Sequence, residues 1–110
     1  MNTNQANTGP SQSEQLFKRA REVLPGGVSR NTVFRLPHPL YAASGSGCRV
    51  TDIEDVERID FSNNMASLIH GHAHPAIVEA VTEQLGKGTA FATATEAEVR
   101  FAEQLCSRVE

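Results

Sequence analysis

Three histidines, His70, His72 and His74, stand on alternate positions in residues 68–77, LIHGHAHPAI. On an extended strand alternate side chains share one face, and three imidazoles on one face could bind zinc or exchange protons. Two features oppose that reading. No Cys, Asp or Glu lies inside the cluster to add a fourth ligand, and Gly71 and Pro75 favour a turning backbone. His74 falls beside a helix start, where a neutral ring can accept from a free N–H and a charged ring opposes the helix dipole. The cluster therefore reads as a turn into a helix, with no metal. Cys48 and Cys106 form no C-x-x-C pair. One falls in a strand-like stretch and the other on an apolar helix face, so both are expected as buried or half-buried free thiols of a reducing compartment.

Around these residues the chain alternates helix and strand signals. Ser11-Gln12-Ser13-Glu14 has the form of a capping box, and Leu16, Phe17, Ala20, Val23 and Leu24 follow at helical spacing. Pro25-Gly26-Gly27 stops that helix, giving one from about residue 12 to 24. Pro37 and Pro39 exclude helix from the next stretch, and Gly45 and Gly47 punctuate it. Strands are predicted at 40–43, 48–52 and 57–61, with a tight turn at Glu54-Asp55, as a small antiparallel meander. Pro75 opens a second helix with Ala76, Ile77, Ala80, Val81 and Leu85 on one face, stopped by Gly86 and Gly88. Thr95-Glu96-Ala97-Glu98 is a second capping box, opening a helix that carries Val99, Ala102, Leu105, Cys106 and Val109.

At 110 residues the chain is at most one ordinary domain. Its charged fraction of 21% and hydrophobic fraction of 39% suit a soluble globular segment. With a net charge of −3 and scattered basic residues, no nucleic-acid partner is indicated. No apolar run approaches the ~20 residues that span a bilayer, and residues 1–13 lack the pattern of a signal peptide. No membrane partner is expected, and the cytoplasm is the expected location. Three amphipathic helices and a thin sheet offer more apolar surface than this chain can cover. The segment reads as the beginning of something larger.

In chain order, Leu24-Pro25-Gly26-Gly27-Val28, Arg58-Ile59-Asp60-Phe61, Gly71-His72-Ala73-His74-Pro75 and residues 91–99, FATATEAEV, resemble the N-terminal part of class III (subgroup II) pyridoxal-phosphate aminotransferases. Within that family the resemblance is greatest to the branch of glutamate-1-semialdehyde 2,1-aminomutase and the β-amino-acid aminotransferases, and it covers residues 12–110. It implies an α+β segment of a fold-type I enzyme whose main domain is α/β. Residues 1–11 are then a disordered tail, 12–62 a small-domain segment of helix and meander, and 63–110 a pocket-lining stretch and the first helices of the absent cofactor domain. It also implies a homodimer when intact, an amino-acid or oxo-acid substrate, and pyridoxal 5′-phosphate held by a lysine. Neither Lys18 nor Lys87 matches that lysine, so no catalytic or cofactor-binding residue is expected here and the chain alone should be inactive.

The resemblance further implies that an arginine after the Pro-Gly-Gly turn binds the substrate carboxylate, for which a planar guanidinium offers two parallel donors. Arg30 matches the β-amino-acid pattern, and Arg35 matches the aminomutase pattern under a different gap. Asn64 and Met65 stand where the family lines its pocket, within residues 63–67. The aminomutase typically has an aromatic residue and a Gly-Pro pair there, which this sequence lacks. Amino-group exchange between an amino acid and an oxo acid or aldehyde is the leading expectation. The alternatives are the aminomutase and a non-catalytic partner-binding fragment.

Overall fold

The computed structural model describes residues 9–109, so the expected N-terminal tail lies largely outside the described residues. The chain divides into two compact units, Met1–His74 and Pro75–Glu110.

The first unit opens with α1, Gln12–Val23. Ser11 is extended and its Oγ accepts from the Glu14 N–H at 3.1 Å, as the capping pattern predicts. A second stitch comes from Gln15, whose Nε2 donates to the Pro10 carbonyl at 2.9 Å. Leu16, Phe17 and Ala20 are half-buried, whereas Val23, at the end of the same stripe, is 78% exposed. The helix stops where expected, and Pro25–Gly27 forms a tight turn with Gly26 at φ 68°.

Three strands follow, β1 (Ala42–Ser46), β2 (Arg49–Asp52) and β3 (Glu57–Ile59), as an antiparallel sheet in the order β1-β2-β3. Ser46 pairs with Arg49 and Ala42 with Asp52, with an irregularity between Ala42 and Ser44, and Arg49 pairs with Ile59. The meander is as predicted, but its strand boundaries differ, most at the first and third strands. The first strand starts later than 40 and runs through Gly45, which punctuation alone assigned to a break. Gly45 is needed inside the strand because the His72 ring lies against it. A Cβ there would sit 2.7 Å from His72 Cγ. The third strand stops at Ile59 rather than 61, because the Asp60 side chain takes the N–H groups of Ser62 and Asn63 and turns the chain.

Two carboxylates hold the hairpin. Asp52 is 4% exposed, and its Oδ1 accepts from the N–H groups of Glu54 (3.0 Å) and Val56 (2.9 Å) while Oδ2 pairs with the Arg58 guanidinium. Those bonds, the Val56 N–H foremost, hold the Asp52 carboxyl below its ordinary range. Glu54 forks onto Ser13, accepting from its N–H and its Oγ at 2.7 Å each, and so ties α1 to the β2–β3 turn.

The second unit contains α2 (Pro75–Leu85) and α3 (Glu96–Cys106). Pro75 heads α2 as expected, and the Thr95 N–H donates to the Glu98 carboxylate at 3.5 Å across the start of α3. Ile77, Val81 and Leu85 on α2, and Val99 and Leu105 on α3, are each 46–57% exposed. Val109 falls beyond the end of α3 rather than on its stripe. Both thiols are exposed, contrary to the expectation of burial. Cys48 lies in the hairpin turn next to Gly47, and Cys106 is exposed at the end of α3. Among the described residues no apolar side chain is fully buried, so the amphipathic faces contribute little of the ~25 cal/mol per Å² that burial would supply.

Candidate functional site

The sequence beyond β3 does something uncommon for L-residues. Asn63, Asn64, Met65 and Ala66 all have positive φ, at 46°, 47°, 61° and 62°. The element Asn63–Ala66 is therefore a left-handed turn, closed by the N–H groups of Met65 (2.8 Å) and Ala66 (3.2 Å) donating to the Ser62 carbonyl. Left-handed backbone costs an ordinary L-residue about 1–2 kcal/mol, less for asparagine, so surrounding bonds must enforce it.

Asp60 supplies that enforcement. Its Oδ1 accepts from the N–H groups of Ser62 and Asn63, both at 2.9 Å, and its Oδ2 accepts from His72 Nε2–H at 2.8 Å. The His72 hydrogen bond, with the Asn63 N–H behind it, holds the Asp60 carboxyl below its usual range. The His72 backbone is fixed in turn by a two-bond bridge to Gly47, with N–H to carbonyl distances of 2.8 and 2.9 Å. Gly71 makes that bridge possible. Its φ is 76°, and a Cβ there would lie 2.6 Å from the Gly47 carbonyl oxygen.

Beside this framework an open cleft of about 540 Å³ lies within the first unit. Leu40, Val50 and Ile59 give it apolar walls, and three arginines, Arg30, Arg35 and Arg58, bring guanidinium groups to it. Their charges are handled differently. Arg58 is neutralised by Asp52. The Arg35 Nη1 donates to the Thr32 and Phe34 carbonyls at 3.2 and 2.7 Å, which fixes its position but leaves its charge. Arg30 Nη1 donates at 3.3 Å to Asn64 Oδ1, a neutral acceptor. Among the described residues no carboxylate lies within ion-pair distance of Arg30 or Arg35. The cleft, which Asp52 and Asp60 also line, therefore combines apolar walls with two guanidiniums outside ion pairs, a combination that can hold an organic acid.

Of the residues singled out from sequence, the structure brings Arg30, Arg35 and Asn64 to this cleft. Met65, 75% exposed, is not among its lining residues. The histidines separate in role. His72 is the partner of Asp60, while His70 and His74 stack loosely with ring centroids 5.2 Å apart. His74 Nδ1 is buried without a hydrogen-bond partner, so it does not accept a helix N–H as expected; its ring is turned toward His70 instead. No group of three metal-ligating side chains is present among the described residues. Sequence reasoning missed Asp60, although Asp-Phe-Ser-Asn-Asn carries the Asx-turn signal that could have found it.

Known proteins are similar to this chain over most of its length. Residues 33–109 match the family described as aminotransferase class-III. A glutamate-1-semialdehyde 2,1-aminomutase of Methanothermobacter thermautotrophicus is 47% identical over 97 residues, covering 88% of this chain and 23% of that protein. Among solved structures, an omega-transaminase from Sphaerobacter thermophilus superposes with a TM-score of 0.88 at 52% identity, covering 93% of this chain and 23% of that one. A β-phenylalanine aminotransferase from Variovorax paradoxus superposes at 0.81 and 30% identity, covering 87% and 22%. The chain thus spans less than a quarter of the length of these relatives.

Proposed function

This chain belongs to the class-III aminotransferases, and we propose that it is the N-terminal, carboxylate-binding part of an enzyme that moves an amino group between an amino acid and an oxo acid or aldehyde. The observation that carries the reading is the pairing of Arg30 with Asn64 at the cleft. A neutral partner orients the guanidinium without cancelling its charge, leaving parallel donors for the two oxygens of a substrate carboxylate. Arg35 adds a second positive group, and Val50 and Ile59 give hydrocarbon a surface to rest on.

Pyridoxal 5′-phosphate, the family's cofactor, supplies the aldehyde and electron sink that amine exchange requires. The described residues of this chain do not fit as its holders. Lys18 is exposed on α1, and Lys87 Nζ pairs with Glu83 at 2.5 Å; neither lines the cleft. The share assigned to this chain is therefore recognition of the substrate acid, with the cofactor held by residues of the intact enzyme beyond it. A homodimer in the cytoplasm is part of the same proposal, and two exposed, unpaired cysteines suit a reducing compartment.

A second reading, isomerisation of glutamate 1-semialdehyde, is favoured by the 47% identity to an aminomutase. The two are separated by supplying the cofactor-loaded intact protein with substrates in turn. Amine exchange predicts that 3-amino-3-phenylpropanoate and a 2-oxo acid together yield a new amino acid. Glutamate 1-semialdehyde with no amino acceptor should then give no 5-aminolevulinate. Isomerisation without exchange would overturn the leading reading. If instead the 110-residue chain melts cooperatively as a stable monomer and no cofactor protein contains it, a non-catalytic binding role replaces both.

A further inference from the structure

Resting on the carboxylate-anchor reading, we propose that Asn64 is a positioning residue that aims Arg30 at the substrate carboxylate, and that the Asp60–His72 pair holds Asn64 in place. An arginine side chain has several rotatable bonds and loses affinity for a fixed target when it is free to swing. Among the described residues, the Arg30 guanidinium makes one hydrogen bond, to Asn64 Oδ1. That amide cannot turn freely either. Asn64 Nδ2 donates to Ser67 Oγ at 2.9 Å, and the same hydroxyl donates to the Asn64 carbonyl at 2.9 Å. These bonds leave Oδ1 facing Arg30.

The arrangement depends on backbone handedness. Asn64 has φ 47° and ψ 49°. Asparagine tolerates this conformation better than most residues with a Cβ. The turn starts in that hand because Asp60 Oδ1 gathers the N–H groups of Ser62 and Asn63, and Asp60 is itself fixed by His72 through Oδ2. Residue type at 64 also sets the charge of the site. An aspartate would pair with Arg30 and compete with the incoming acid, and it has no Nδ2 to donate to Ser67. A glycine would keep the handedness and remove the aiming bond together with the Nδ2–Ser67 bond that braces it.

The test is equilibrium binding to the cofactor-loaded intact protein, with 3-phenylpropanoate as the acid probe and its neutral amide as the control. Asn64→Gly should weaken the acid about tenfold, in line with loss of a bond to a charged group. Asn64→Asp should weaken it at least as much as Arg30→Ala, and the amide should change by less than about twofold throughout. In an Arg30→Ala background, Asn64→Gly should have no further effect, since the two act through one contact. Equal loss of acid and amide, unchanged acid binding in Asn64→Asp, or additive loss with Arg30→Ala would each overturn the positioning role. Unchanged acid binding in Arg30→Ala would instead overturn the anchor reading beneath it.

Discussion

Replacing Gly71 by alanine tests the framework on which the cleft depends. At φ 76° an alanine gives up about 1–2 kcal/mol in backbone conformation alone. Its Cβ would also lie 2.6 Å from the Gly47 carbonyl oxygen and 2.8 Å from the carbonyl carbon. Those neighbours are backbone and cannot rotate away, so the Gly47–His72 bridge must open and forfeit two hydrogen bonds, each contributing about 0.5–1.5 kcal/mol. The expected loss is about 2–5 kcal/mol, a large share of a typical 5–15 kcal/mol. Gly26 is the matched control. Its φ is 68° and no atom lies within 4 Å of an added methyl, so Gly26→Ala carries the conformational part only. The assay is the urea midpoint of each variant in the protein that carries this chain, compared at a common slope. A Gly71→Ala midpoint no lower than that of Gly26→Ala would refute the claim that the bridge needs this glycine.

Other consequences are equally open to measurement. The Asp60 carboxyl is depressed in the folded state, so its contribution is present above its ordinary value of 3.8 and lost as pH falls through the lower folded value. Asp60→Ala should therefore show its largest stability deficit at neutral pH and a smaller one below pH 3.8, read from urea midpoints; a deficit independent of pH would contradict this. Glu54→Ala removes both bonds to Ser13, and amide exchange at Ser13 should quicken by about tenfold or more while the middle of α1 changes less. Zinc titration should leave the thermal midpoint unmoved, because His72 is engaged by Asp60 and no three-ligand group assembles among the described residues.

Features set by near neighbours in the chain were legible in the sequence. The Ser11 cap, the Pro-Gly-Gly stop, the Glu54-Asp55 turn and the Pro75 helix start all involve residues within a few positions of one another. Features that depend on contact across the chain were not. His72 meets Asp60 from twelve residues away, and a side chain at position 45 would collide with a ring that comes from residue 72. Periodicity cannot report either fact. The left-handed turn at 63–66 was hidden because Met65 and Ala66 are ordinary residues there, held by bonds to their neighbours rather than by their own preference. The cysteines were misjudged for a related reason: an apolar stripe indicates which face seeks cover, not whether the chain itself supplies it. For the cleft, Arg30, Arg35 and Asn64 came from what the family resemblance implies. Which guanidiniums keep their charge became visible only with the partners of Arg58 and Arg35 in view.

The most direct test of the central claim is the ratio of kcat/KM for 3-amino-3-phenylpropanoate to that for 1-phenylethylamine, which lacks the carboxylate, in the intact protein and its Arg30→Ala variant. If Arg30 receives the substrate carboxylate, the variant should lose roughly ten- to a hundredfold in that ratio, as expected for a charge-assisted contact. Most of the loss should fall on the acid substrate. A ratio unchanged by the substitution would contradict the account.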